Sequence, residues 1–257
     1  MAKGKPGADS SVMVTSQIGG KDLIALAKAL YGEPPVFWGR YFTSTATGGT
    51  VEYRHLKENQ PLRDNQIRVL PIARQTKRVD GTQADGSADA EDNANDVIAT
   101  FGADYLANLG REFYMFLDVE GSPSLSQAYY SGWAQTLAAH SVSATGGRVT
   151  LLPCVYATRS DNTTWAALAA AVAGGTICKG AWIARWPAHG CQPLPEWNDN
   201  TVTPTVGLPC PILIWQYADD CHGGGGFDCS EVNPRINVQT DLLDHLILPP
   251  DMTEIVR

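Results

Sequence analysis

Short apolar runs alternate along this chain with stretches whose apolar residues recur every three or four positions, a pattern of strand then helix. Val12–Ser16 reads as a first strand, and Lys21–Tyr31 as a helix with Leu23, Leu26, Ala27 and Leu30 on one face. Val36–Phe42 is a second strand, Tyr53–Arg63 a helix and Ile67–Ala73 a third strand. A polar, acidic loop over Lys77–Ser87 precedes a helix from about Asp89 to Leu109. The strand Phe113–Asp118, a helix over Leu125–His140, the strand Val149–Tyr156 and a helix over Thr163–Ala173 follow, the last stopped by Gly174-Gly175. From there the helical period disappears. Ala181–Arg185, Ile212–Tyr217 and Phe227–Ser230 are strand-like and joined by Pro- and Gly-rich loops.

Eight strands, the first five with helices between them, imply an α/β fold built on a parallel sheet. The count predicts closure into an irregular TIM-like (β/α) barrel with eight strands and fewer than eight helices. Residues 12–244 form this domain, with residues 1–11 as an N-terminal tail and 245–257 as a C-terminal one. The 257 residues are an ordinary length for such a barrel, and 44% apolar content can fill its core.

A net charge of −8 argues against a nucleic-acid partner bound by phosphate neutralisation, and gives no attraction to an anionic membrane. The longest apolar stretches are too short to span a bilayer. Met1–Ser11 has the charge of a signal peptide without an apolar segment after it. Action outside the cell therefore implies another route of release or a leader already removed. A monomer is expected.

The densest chemistry lies in Phe113-Tyr-Met-Phe-Leu-Asp-Val-Glu-Gly121. A buried strand there delivers Asp118 and Glu120 two positions apart. Side chains at i and i+2 of a strand share a face, with Cβ atoms roughly 6–7 Å apart. Two carboxyls at the C-terminal end of a barrel strand suit glycoside cleavage, in which one acid protonates a leaving oxygen and another steadies positive charge on the sugar. Two solvated acids at a strand end are the bland alternative.

Four of the six cysteines, Cys191, Cys210, Cys221 and Cys229, crowd into the last quarter. Two loop-stapling disulfides are the first reading of them, reduced thiols the second, and a zinc site using Cys221, His222 and Cys229 the third. Cys154 and Cys178 stand in apolar contexts, where a cysteine packs as a small hydrophobe. No G-x-S-x-G or P-loop is present, and the glycines of the acidic stretch Asp80–Glu91 fall at the wrong offsets for a calcium loop. No metal or cofactor is expected.

Six pieces in order carry a family resemblance: Phe37-Trp-Gly-Arg-Tyr41, Val69-Leu-Pro-Ile72, Phe116-Leu-Asp-Val-Glu120, Ala181-Trp-Ile-Ala-Arg-Trp186, Ile214-Trp-Gln-Tyr217 and Phe227-Asp228. They are spread over roughly Val12–Pro234, most of the chain. The chain resembles the DUF1906 glycoside-hydrolase-like domains, which are related to the family 25 glycoside hydrolase lysozymes. The resemblance implies a peptidoglycan-like polysaccharide substrate and a site at the strand ends. It implies Glu120 as proton donor, Asp118 as partner of the 2-acetamido group, and Asp228 as a further acid. Arg40 at the end of the second strand is a candidate for holding a carboxylate or a sugar hydroxyl. Tyr156, Trp182, Arg185 and Trp186, with Gln216 and Tyr217, are candidates for substrate contact, Trp215 facing away.

One departure stands out. The family places an aspartate near the end of the first strand, whereas Val12-Met-Val-Thr-Ser-Gln17 holds no acid. Two functions follow: a lysozyme-like glycosidase working with the remaining acids, or a catalytically weak or inactive glycan-binding barrel of an envelope-associated or viral particle.

Overall fold

The structure is a computed structural model that describes residues 3–42, 53–74 and 77–255. The outermost residues of the two expected tails, 1–2 and 256–257, lie outside the described residues. In chain order, β1 (Pro6–Asp9) precedes a small hairpin of β2 (Gln17–Ile18) and β3 (Lys21–Asp22). Then come α1 (Leu23–Tyr31), β4 (Phe37–Phe42), α2 (His55–Asp64), β5 (Arg68–Ala73), α3 (Gln83–Phe101), α4 (Ala103–Leu109) and β6 (Glu112–Val119). The chain continues through α5 (Gln127–Ala144), β7 (Thr150–Thr158), α6 (Asn162–Ala173), β8 (Ala181–His189), α7 (Asp199–Val202), β9 (Ile212–Cys221) and β10 (Phe227–Val232). Two single turns, α8 (Val238–Asp241) and α9 (Met252–Ile255), follow.

Eight of these strands close into a barrel in the order β1-β10-β9-β8-β7-β6-β5-β4. The α/β barrel expected from the pattern is therefore present, with two differences that bear on the site. The first strand is Pro6–Asp9, not Val12–Ser16. Ser10–Ser16 is instead a turn-rich segment, whose Val14 is buried and whose Val14 N–H is bound by a carboxylate. The second difference is direction. β10 pairs antiparallel with both β9 and β1, whereas β1 and β4 through β9 run parallel. The run His222–Gly226 is the turn of a β9–β10 hairpin, which places the start of β10 at the C-terminal ends of the other strands.

The helices begin where short polar side chains can bind free N–H groups. Asp22 caps α1, Ser126 caps α5, and Asp161 caps α6. Thr82 and Asp85 form a reciprocal capping box, so α3 starts inside the acidic stretch expected as a loop, and Gly102 separates it from α4.

Two apolar layers result from the strand period. One fills the space between barrel and helices and includes Trp38, Trp133 and Trp165. The other fills the barrel, where Trp182 meets Phe37, Phe116 and Tyr156 edge-on with ring centroids 6.1, 5.9 and 4.8 Å apart. Residues beyond Asp244 close against the barrel: Leu246 and Ile247 are fully buried, and Ile247 bridges to Val69. No helix among the described residues is long and apolar enough to cross a membrane.

Candidate active site

β6 projects Tyr114, Phe116 and Asp118 inward on alternate positions, and Glu120 follows just past the strand end. Asp118 is buried and Glu120 is exposed at the mouth. The paired acids therefore share a face, as the spacing requires. Two more carboxyls join them. Asp9 ends β1 and stands in register with Asp228, the second residue of the reversed strand β10. The acid absent from Val12–Ser16 is thus supplied by Asp9, in a segment read from sequence as a tail.

β1 escaped the pattern because it is made of small residues, and the structure gives the reason. A Cβ at Gly7 would lie 2.1 Å from the Phe37 ring. Gly39, the register partner of Asp9, leaves room for that aspartate, since a Cβ there would lie 2.6 Å from the Asp9 Cβ. A strand so crowded has no space for the alternating large apolar residues that betray strands in a sequence.

Gln216 ties the acids together. Its Nε2 donates to Asp9 Oδ1 at 3.0 Å and points toward Asp228 Oδ2 at 3.5 Å, while its Oε1 accepts from Trp186 Nε1 at 2.8 Å. The Tyr156 hydroxyl lies 2.7 Å from both Gln216 Oε1 and Glu120 Oε1. A hydroxyl has one hydrogen to give. Tyr156 therefore donates to one of these two oxygens at a time, and so couples Glu120 to Gln216.

Burial is the main force on the inner pair. It raises the Asp9 pKa well above the ordinary value, with the Asp228 charge adding to it and the Gln216 amide opposing it. Burial likewise lifts Asp228 from 3.8 to about 6, opposed by the 2.7 Å hydrogen bond from the Asp220 N–H and reinforced by Glu120, Asp219 and Asp220. A folded-state pKa above the unfolded one means that stability falls as pH rises from about 4 to about 6 and stays lower above. Asp228→Asn cannot ionise. It should be more stable than the wild type at pH 7.5, by on the order of 2 kcal/mol, and should lose that advantage at pH 3.5; thermal melts at the two pH values check this.

A cavity of about 190 Å³ opens over Asp9, Ser10, Tyr41, Asp220, Asp228 and the glycine-rich β9–β10 turn. Asp9 and Tyr41 also line an adjoining hollow with Ile72, Asp118, Tyr156 and Trp182. A larger cavity, about 530 Å³, lies among α2, α3, α4 and residues 250–252. Among the described residues its lining holds one carboxylate, Asp251, which faces Arg63 at 3.9 Å, so it lacks a pair of carboxyls.

Three residues expected to contact substrate point elsewhere. Arg40 is fully buried on the outer side of the barrel and forms an ion pair with Glu58 at 3.1 Å. It also donates to the carbonyls of Ser10 and Val12. Tyr217 shares the outer face with Trp215, because the period that sends Gln216 inward sends both its neighbours out; its hydroxyl donates to the Gln192 carbonyl. Arg185 is exposed and one position out of phase with the inward-facing Trp182 and Ala184. Tyr156, Trp182 and Gln216 do face the acids, and Trp186 is half-buried beside them.

Cys191 and Cys221 form a disulfide, which removes both thiols from any metal site. Among the described residues the only metal-like grouping is that pair with His222, so the zinc reading of Cys221, His222 and Cys229 is corrected. Of the two disulfides expected among the last four cysteines, one is formed; Cys210 and Cys229 are free.

The chain is thus an α/β barrel with a carboxylate cluster at the C-terminal ends of its parallel strands. Comparison with solved structures finds the same fold in three distinct settings. An uncharacterized B. stearothermophilus protein superposes with a TM-score of 0.67 at 21% identity, over 95% of this chain and 100% of that one. The Mycobacterium tuberculosis Tat-secreted protein Rv2525c, in complex with L-tartrate, gives 0.50 at 16% identity, over 90% and 96%. The Clostridium perfringens spore cortex lytic enzyme SleM gives 0.50 at 17% identity, over 95% of this chain and 69% of that one. No protein-family model matches the chain, and no curated protein sequence matches it.

Proposed function

We propose that this protein is a glycoside hydrolase of N-acetylated cell-wall glycan, a muramidase-like enzyme acting on peptidoglycan. The observation that carries the reading is the convergence of Asp9, Asp118, Glu120 and Asp228 from three strands on one mouth, joined through Gln216 and Tyr156. Glu120, exposed and in contact with the Tyr156 hydroxyl, gives its proton to the leaving glycosidic oxygen. Asp118, buried just inside, binds the substrate's 2-acetamido N–H as the acetamido oxygen approaches the anomeric carbon. Asp9 and Asp228 supply negative potential against the developing positive charge and hold the attacking water. Trp186 forms one wall for a sugar ring, with its indole N–H already fixed on Gln216. Arg40 acts at one remove, by fixing the segment that follows Asp9.

Asp9 at the end of the first barrel strand supports cleavage over binding alone, because a carboxyl stands where Val12–Ser16 holds none. The fold shared with a spore cortex lytic enzyme agrees with the hydrolase reading. Purified peptidoglycan incubated with the protein should release soluble muropeptides with new reducing ends, identified by mass spectrometry. Retention on the glycan without any soluble product would overturn the hydrolase and leave a recognition module.

A further inference from the structure

Two thiols stand together at the end of the barrel away from the acids. Cys178 Sγ lies 3.4 Å from Cys210 Sγ, and both residues are half-buried and free. Cys178 is three residues before β8, and Cys210 two residues before β9. The disulfide Cys191–Cys221 sits at the other end of the same two strands: Cys191 follows β8 by two residues, and Cys221 is the last residue of β9. We propose that Cys178 and Cys210 form a second disulfide, so that the β8–β9 pair is bridged at both ends.

This pair has a particular need of such bridges. The connections before β6, β7 and β8 carry helices of 7 to 19 residues that pack on the barrel. The connection from β8 to β9 carries only the four-residue α7. Its outer face is covered by loop, through Trp197 against Trp215 with ring centroids 6.1 Å apart. A covalent link limits the unfolded excursions of a segment that lacks a packed helix to hold it. The strands concerned carry Trp182, Trp186 and Gln216, so their relative position sets the geometry of the network around the acids.

Geometry pairs these two thiols, and Cys178 is the one suited to attack, since the hydrogen bond between them raises the pKa of Cys210. The neighbouring Cys210 lowers the Cys178 pKa, which favours the thiolate that attacks a disulfide. Burial raises the pKa of Cys154 and of Cys229, and both are inaccessible. The oxidant is an external disulfide, such as oxidised glutathione or a thiol–disulfide oxidoreductase. The Cys178 thiolate attacks one of its sulfurs and expels the other as a thiol. The Cys210 sulfur then displaces the second, leaving one protein disulfide and two reduced external thiols.

The full chain, treated with oxidised glutathione, is denatured in N-ethylmaleimide, digested without reduction and mapped by mass spectrometry. The expected result is label on Cys154 and Cys229 and a peptide pair joined through Cys178 and Cys210. Label on Cys178 and Cys210 beside an intact Cys191–Cys221 link would overturn the proposal, as would Cys178 joined to Cys154. Cys178→Ser and Cys210→Ser should each melt several degrees below the oxidised wild type, with no further loss in the double variant. A double variant that melts with the oxidised wild type would overturn the bracing role.

Discussion

Glu120→Gln should lower the rate of glycan cleavage by at least about 100-fold while leaving the fold intact. Glu120 is exposed just beyond the end of β6, so its replacement disturbs no core contact. Glutamine has the same reach and its amide can still meet the Tyr156 hydroxyl, which lies 2.7 Å from the native carboxyl. What it lacks is a transferable proton. Binding of the glycan should therefore persist, the rate of reducing-end formation should collapse, and the melting temperature should stay close to that of the wild type, as for most exposed substitutions. A variant that keeps more than a tenth of the wild-type rate would remove Glu120 from the role of acid and turn attention to Asp228, a half-buried carboxyl lining the adjoining cavity.

The largest effect on stability is expected at Arg40→Met. Arg40 and Glu58 are both fully buried, and breaking such a pair from one side leaves an uncompensated charge, at a cost of about 3–5 kcal/mol. The loss extends beyond the pair. Glu58 also accepts from the N–H groups of Val14 (2.9 Å) and Arg54 (2.7 Å), while Arg40 holds the carbonyls of Ser10 and Val12. Together they clamp the turn that leaves β1 immediately after Asp9. Urea unfolding should show the drop, and the protein that remains folded should cleave glycan more slowly because Asp9 is less well held. Lys5→Ala, which breaks the half-exposed Lys5–Glu33 pair at 3.1 Å, should cost no more than about 0.5 kcal/mol. Equal effects of the two substitutions would mean that the Arg40–Glu58 pair is no clamp.

Much of the barrel was legible because its central strands are buried on both faces and α1 shows one apolar stripe. β6 is buried from its second residue to its last, and the run Phe113–Asp118 announces it. Asp118 and Glu120 were legible for the same reason, since a strand of known phase fixes where its acids point. Asp9 was not. Pro6-Gly-Ala-Asp9 carries no periodic signal, and its glycine is required by the ring of Phe37, a contact that no local window contains. Direction was equally hidden: a hydrophobic run looks the same in a parallel and an antiparallel strand. The five residues between β9 and β10, four of them glycine, did carry a hairpin signal that could have reversed the last strand. Arg40, Arg185 and Tyr217 failed on phase, because each lies one position away from an inward-facing residue.

The reversed strand has a consequence for when the site comes into being. Asp9 belongs to β1 and Asp228 to β10, the outermost barrel strands in chain order among the described residues, and the Gln216 that meets Asp9 is 207 positions from it along the chain. Asp118 and Glu120 come from a single stretch of chain at β6, whereas Asp9 meets Asp228 only through the β1–β10 pairing. The four-acid mouth is assembled only by the final seam of the barrel, β1 against β10. Completion of the cylinder and gathering of the four acids are one event.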